Sequence, residues 1–256
     1  MPEGDILART AATLNRALTG DVLVRAELRW PDAGGVDLVG RTVVGTASYG
    51  KHLLTRFDDG RTLHTHLRME GSWRIAETGT SGASGRGPFD RAVVGTQRWT
   101  AIGHRLGMLD VVPTIDEHAL IGHLGPDLLA PTFPTLGLAL ALERFAEQGT
   151  TPVAEVLLDQ RVQAGIGTIY LAESLFARRL WPWTPAIDVT DPASLLMTAR
   201  VLMERSVASD SPGVRRAHGR AGKPCVRCRT PIAVGAARRP PYERPVFWCP
   251  TCQAKP

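Results

Sequence analysis

The sequence predicts an α+β chain of several domains: an N-terminal antiparallel β-sandwich opened by a helix, a helical domain, and a C-terminal ribbon held by cysteines. Three observations predict it. Residues 22–112 form a run of short segments rich in Val, Leu, Thr and aromatics, broken by Gly and Asp, which is the texture of antiparallel strands. From about residue 114 to residue 207 the apolar spacing becomes helical. All four cysteines follow Pro224, in two Cys-x-x-Cys pairs.

At 256 residues the chain has room for two domains, each with its own core. No apolar run reaches membrane-spanning length, and the chain opens on Pro2-Glu3-Gly4-Asp5 rather than on the basic and apolar stretch of a secretory signal. A cytoplasmic protein without a membrane partner is expected.

In order, Asp5 caps a helix running to about Leu18, stopped by Gly20. Strands are expected at 22–29, 42–48, 52–57, 62–67, 72–75, 92–96, 98–102 and 107–112, with a hairpin turn at Asp58-Asp59-Gly60. The Gly/Ser-rich segment 78–90 reads as a mobile loop. Prolines 126, 131 and 134 mark a linker. Helices follow at 135–148, from Thr151-Pro152 to about 160, from the glycine turn at 163–170 to about 179, and at 192–207. The expected domains are therefore 1–113, a linker at 114–131, 132–215 and 216–256.

The cysteines read Cys225-Val-Arg-Cys228, then twenty residues, then Cys249-Pro-Thr-Cys252. Two such knuckles supply four thiolates for one tetrahedral zinc, and short strands at 232–234 and 246–248 complete a zinc ribbon. Disulfides do not suit a cytosolic chain, and a redox pair needs no second copy. Four cysteines leave no open coordination position, so one structural Zn2+ per chain is expected and the chemistry must lie elsewhere.

It lies at the N-terminus. Once Met1 is removed, Pro2 carries a free secondary amine that is nucleophilic near neutral pH, and Glu3 beside it can move protons. A Pro-Glu start alone means little. The turn Gly165-Ile166-Gly167, leading into a helix N-terminus, resembles a helix–two-turn–helix element and suits a phosphate, although such a turn also serves simple chain reversal. The net charge is +5, and nine Lys or Arg but a single acid, Glu243, fall between Arg215 and Arg244, favouring a polyanion or a solvated basic face. His64 and His66 share a strand face; a metal pair there lacks a third ligand, so ordinary strand histidines are expected.

Five stretches together, Met1-Pro2-Glu3-Gly4, Gly50-Lys51-His52-Leu53-Leu54, His66-Leu67-Arg68-Met69, the GIGTIYLAE run from Gly165 to Glu173, and Arg244-Pro-Val-Phe-Trp-Cys249, resemble the formamidopyrimidine-DNA glycosylase/endonuclease VIII family from end to end. The resemblance implies a bifunctional DNA glycosylase/AP lyase of base excision repair. Pro2 is then the nucleophile that forms a Schiff base at C1′ and Glu3 the proton carrier. Lys51 and Arg244 assist β- and δ-elimination, and Met69 enters the void left by the extruded base. The implied partner is damaged DNA, duplex or partly single-stranded, bound by a monomer in the bacterial nucleoid. Gly167 and Thr168 are implied DNA contacts, with Thr168 where the family usually has Asn. His104 and Leu106 stand where the purine-directed branch has its intercalating Arg and Phe. The segment 207–224 is short for a lid over oxidised guanine, which favours oxidised pyrimidines. The alternatives are a purine-directed glycosylase and a zinc-ribbon DNA binder without catalysis.

Overall fold

The computed structural model describes residues 2–209, 213, 215–238 and 241–255. Met1, Arg239 of the basic run and part of the 207–224 segment lie outside them. The chain divides into two compact units, Met1–Pro2 with Ile6–His123, and Glu3–Asp5 with Leu124–Pro256.

The first unit is a sandwich of two four-stranded antiparallel sheets. Helix α1 (Gly4–Leu18) buries Leu7, Ala11, Leu14 and Leu18 along one stripe. Strands β1 (Arg25–Leu28), β2 (Val43–Tyr49), β3 (His52–Phe57), β4 (Arg61–His66), β5 (Ser72–Glu77), β6 (Asp90–Gly95), β7 (Trp99–His104) and β8 (Met108–Pro113) follow. One sheet runs β1-β6-β7-β5 and the other β2-β3-β4-β8. Leu53, Leu63 and Leu109 share one apolar core with the α1 stripe, Val94 and Ala101. The strands thus alternate apolar-in, as half-buried antiparallel sheets do.

Two expectations on this unit are corrected. The strand expected at 22–29 shrinks to four residues, because Val22 and Val24 are exposed and Val22 makes only an isolated bridge to Thr42. The 78–90 segment is not a mobile loop but is pinned by side chains. Arg25 donates to the carbonyls of Ala83 and Ser84, each at 2.9 Å, and Arg74 donates to that of Gly82. Gly85, at φ +59°, lies so close to Val93 that a Cβ there would stand 2.5 Å from its methyl group. Glycine-rich composition here serves tight packing.

The short helix α2 (Glu117–Ile121) ends the first unit. The second contains α3 (Leu138–Ala146), α4 (Val153–Leu158), α5 (Thr168–Arg178) and α6 (Pro192–Ala208), then the hairpin β9 (Ala233–Ala237) and β10 (Arg244–Trp248). Phe133, Phe145 and Phe176 are wholly buried in its core, each contributing roughly 1.5–3 kcal/mol by burial. Asp191 caps α6 by accepting the Ser194 N–H at 2.9 Å. Helix α4 is shorter than expected, since the chain turns at Asp159 and loops back through Gln160–Gln163. The proline-marked segment is fixed by backbone bonds: Gly125 donates to Gln160, and Ala164 to Pro126.

Candidate active site

Glu3 is 1% exposed, yet it is a carboxylate. Its oxygens accept the backbone N–H groups of Gly167 at 2.8 Å, Ile169 at 2.7 Å and Tyr170 at 3.3 Å, which are the otherwise unsatisfied donors of the first turn of α5. The helix dipole adds to the same attraction. Gly4 completes the seat by donating its N–H to the Gly165 carbonyl at 3.0 Å. A Cβ on Gly167 would stand 2.4 Å from Cδ of Glu3, and one on Gly4 2.7 Å from Cε of Met203. Only glycine lets the two backbones approach this closely.

This corrects one expectation. The Gly167 N–H meets an acid of the chain itself rather than standing open for a phosphate. The Thr168 hydroxyl lies beside the same helix start, 3.4 Å from Nε2 of His218. Below Glu3, Ser206 donates to Asp5 at 2.6 Å, and burial raises the Tyr170 hydroxyl pKa within the same group. Pro2, half-buried, directly precedes Glu3 in the chain.

In the first unit, one end of the β2-β3-β4-β8 sheet carries the two-residue turn Gly50-Lys51 and the exit of β4. The His66 ring accepts the Arg68 N–H at Nδ1 at 2.8 Å, and Gly71 donates to Leu67 at 2.9 Å. This tight turn, with Arg68 at φ 49°, lifts Met69 to 62% exposure, where an apolar side chain is available to a partner. Gly107 donates to His66, which sets the β7–β8 turn beside it.

His104 is half-buried, with Nδ1 3.0 Å from the Asp90 carboxylate. Burial pushes the pKa of Asp90 up, but His104, the Gly87 N–H and Arg74 outweigh it and leave the acid below its usual range. Leu106 is corrected: at 4% exposure it belongs to the sandwich core and does not project as a wedge. Arg105 occupies the tip instead, at φ 47°, paired with Glu70 and lying over the Phe89 ring at 4.4 Å.

The four cysteines converge, with all Sγ atoms within 4.8 Å of one another; Cys228 and Cys249 lie 3.4 Å apart and Cys225 and Cys252 3.9 Å. A tetrahedron with metal–sulfur bonds of about 2.3 Å has edges of about 3.8 Å, so the donor set fits one metal ion. The ribbon is seated on the helices. Arg227 donates to the Phe176 and Ala177 carbonyls at the end of α5 and stacks over the Phe176 ring at 4.2 Å. Trp183 meets Trp248 edge-on at 4.7 Å. Arg244 opens β10 opposite Ala237 and is exposed at the loop end of the hairpin.

Glu173 emerges as an organiser that the sequence did not assign. It accepts the N–H groups of Arg216, Ala217 and His218 at 2.8–3.0 Å, fixing the approach to the ribbon from inside α5. Only its acid type on an apolar helix face hinted at this. His218 is thereby held at the start of α5, its pKa lowered to about 4 by burial and by Arg215.

The formamidopyrimidine-DNA glycosylase N-terminal domain model matches residues 1–106, and the corresponding H2TH domain model matches residues 124–217. A probable endonuclease 8 2 of Streptomyces coelicolor is 42% identical, across 100% of this chain and 95% of that protein. The chain belongs to the formamidopyrimidine-DNA glycosylase/endonuclease VIII family. Family members called endonuclease 8 2 in Mycobacterium tuberculosis and formamidopyrimidine-DNA glycosylase in Paracoccus denitrificans are 38% and 34% identical, each covering 99% of this chain and 100% of theirs. The fold of the family is equally plain: the Lactococcus lactis formamidopyrimidine-DNA glycosylase, solved with abasic-site DNA, superposes with a TM-score of 0.83 at 22% identity over 99% of this chain and 100% of that one. Among the described residues no helix is long and apolar enough to cross a membrane.

Proposed function

We propose that this chain is a bifunctional DNA glycosylase/AP lyase acting on oxidised bases, pyrimidines in preference to purines. The observation that carries the reading is the Glu3 carboxylate, buried and fixed by three backbone amides at the start of α5, in the residue that follows Pro2. The Pro2 amine attacks C1′ of the damaged nucleotide, the glycosidic bond breaks, and the base leaves with a proton supplied through Glu3. The Pro2 nitrogen loses its proton and the C1′–O4′ bond opens as O4′ takes a proton, leaving an iminium that draws electrons from the sugar. Loss of a C2′ proton then expels the 3′ phosphate, and a second elimination expels the 5′ phosphate.

Lys51 and Arg244 assist the two eliminations, Met69 fills the space of the extruded base, and Thr168 and His104 contact the DNA. The four cysteines hold zinc, which keeps the ribbon folded and takes no part in the chemistry. The protein works as a monomer on damaged DNA, duplex or partly single-stranded, in the bacterial cytoplasm at the nucleoid. The pyrimidine preference is supported by the short 207–224 segment and by the higher identity to endonuclease 8 relatives than to formamidopyrimidine-DNA glycosylases.

Duplexes carrying thymine glycol, dihydrouracil, 8-oxoguanine or an abasic site test this directly. Release of the pyrimidine lesions and cutting at the abasic site are expected. Release of 8-oxoguanine alone would overturn the lesion class, and DNA binding without any cutting would leave a DNA-binding protein in its place.

A further inference from the structure

The outer face of the β2-β3-β4-β8 sheet holds polar side chains that the apolar core does not use. Register sets His52 opposite His66, and Leu54, His64 and Asp110 in one row across β3, β4 and β8. Since side chains alternate, the three histidines and Asp110 share the face opposite Leu53, Leu63 and Leu109. They are joined in a chain: His64 Nδ1 lies 2.9 Å from Oδ2 of Asp110, and His64 Nε2 lies 2.8 Å from Nδ1 of His52.

The chemistry of the partners fixes the protons. A carboxylate only accepts, so His64 carries its hydrogen on Nδ1. His64 is fully buried, and in its neutral form its Nε2 is bare and accepts. His52 must then donate from Nδ1, which leaves its own Nε2 as an acceptor. The His66 ring meets His52 edge-on at 4.9 Å, and its Nδ1 is occupied by the Arg68 N–H. Lys51 directly precedes His52 in the turn.

The geometry points to Asp110, His64 and His52 as a positioning relay for Lys51, in which the Asp110 carboxylate, acting through His64, locks His52 as a neutral acceptor at the lysine turn. Lys51 directly precedes the ring that the relay fixes. Without the Asp110 acceptor, His64 and His52 are free to exchange tautomers, and His52 turns from acceptor to donor. Burial first, and then the neighbouring His64, His66, His123 and Lys51, lower the pKa of His52 to about 3. His66 is lowered to about 4 by burial and by His64, Lys51 and Arg68. The inference rests on the lyase reading above for its kinetic consequence, but not for the relay itself.

The test uses the full chain with its metal, labelled with 15N-histidine, in four forms: parent, Asp110→Asn, Asp110→Leu and His64→Phe. Long-range 1H–15N spectra near pH 7 give the tautomer of His52. Cleavage of an abasic-site oligonucleotide between pH 5 and 9 gives kcat and KM. The parent and Asp110→Asn, which keeps an acceptor oxygen, are expected to hold the proton on Nδ1 of His52 and to share one pH profile. Asp110→Leu and His64→Phe are expected to lose that tautomer and on the order of 10-fold in kcat, with KM changed less than about twofold. A parent protein with the proton on Nε2 of His52 would overturn the relay. So would an altered tautomer in Asp110→Leu with kcat and pH profile unchanged. A parent that cuts no abasic site would overturn the lyase reading and the relay's service to it, while the spectra still decide the hydrogen-bonded chain.

Discussion

The Glu3 seat and the histidine layer both hold titratable groups away from water, and they do so by opposite means. Glu3 is held by backbone amides at a helix start, donors that no substitution of their own side chains removes. His52 is held by side chains, His64 and then Asp110, so one substitution one or two strands away changes it. A backbone seat is robust but demands glycine where the chains touch. A side-chain relay tolerates any backbone but is sensitive to each partner and to pH.

Removing the metal breaks the second unit most severely and should leave this contrast intact. Ribbons with two five-residue strands draw their folding free energy from the metal, so chelation or Cys225→Ala is expected to abolish hydrogen-exchange protection in β9 and β10. Protection of the sandwich strands β3 and β4 should persist, and its loss would show that the first unit also depends on the ribbon.

The next largest effect tests the backbone seat. Gly167→Ala places a Cβ 2.4 Å from Cδ of Glu3 and should expel the carboxylate. Abasic-site cleavage is expected to fall on the order of 10²-fold, the scale of a lost proton carrier, with DNA affinity changed much less. Cleavage within twofold of the parent would mean that the seat does not position Glu3 for the reaction.

Acid titration sharpens the comparison from the other side. His52 and His66 have folded pKa values depressed below the ordinary 6.5, to about 3 and about 4. The unfolded chain therefore binds more protons between those values and about 6.5, so stability is full above about pH 6.5 and declines as pH falls toward 4. Melting temperatures at pH 7.5 and 5 should differ in that direction, and His52→Gln should flatten the slope. A pH-independent melting temperature would contradict the buried neutral layer.

The smallest effect concerns the 78–90 segment. Arg25→Ala removes two hydrogen bonds to its carbonyls, and a loss of about 1–2 kcal/mol is expected by denaturant titration, with increased proteolysis confined to that segment. Unchanged proteolysis would mean that Gly85 packing alone pins it.

What could be read in the sequence follows from the range of the interactions. Cys225, Cys228, Cys249 and Cys252 announce their site by local spacing, and β3 was read at its observed limits because 52–57 is bounded by turns on both sides. The Pro2 amine and the Glu3 proton carrier were legible from their residue types, but their substrate came only with the resemblance. Nothing near Glu3 in the chain says that its partners lie 164 to 167 residues away, nor that it would take the amides that the glycine turn offered. Leu106 was assigned from its place in the family motif, and the motif does not show that the turn at Arg105 sends that side chain into the core. The same limit hid the histidine relay: His64 and His66 were visibly on one face, but the register that brings His52 and Asp110 to them belongs to strand pairing.

The most direct measurement is borohydride trapping on an abasic-site oligonucleotide with the Met1-processed protein, followed by mass spectrometry of the cross-linked peptide. The Schiff-base reading predicts one covalent adduct, on the Pro2 nitrogen, absent from Pro2→Gly and from protein that retains Met1. Efficient strand cutting with no trapped adduct, or an adduct on Lys51 in place of Pro2, would contradict it.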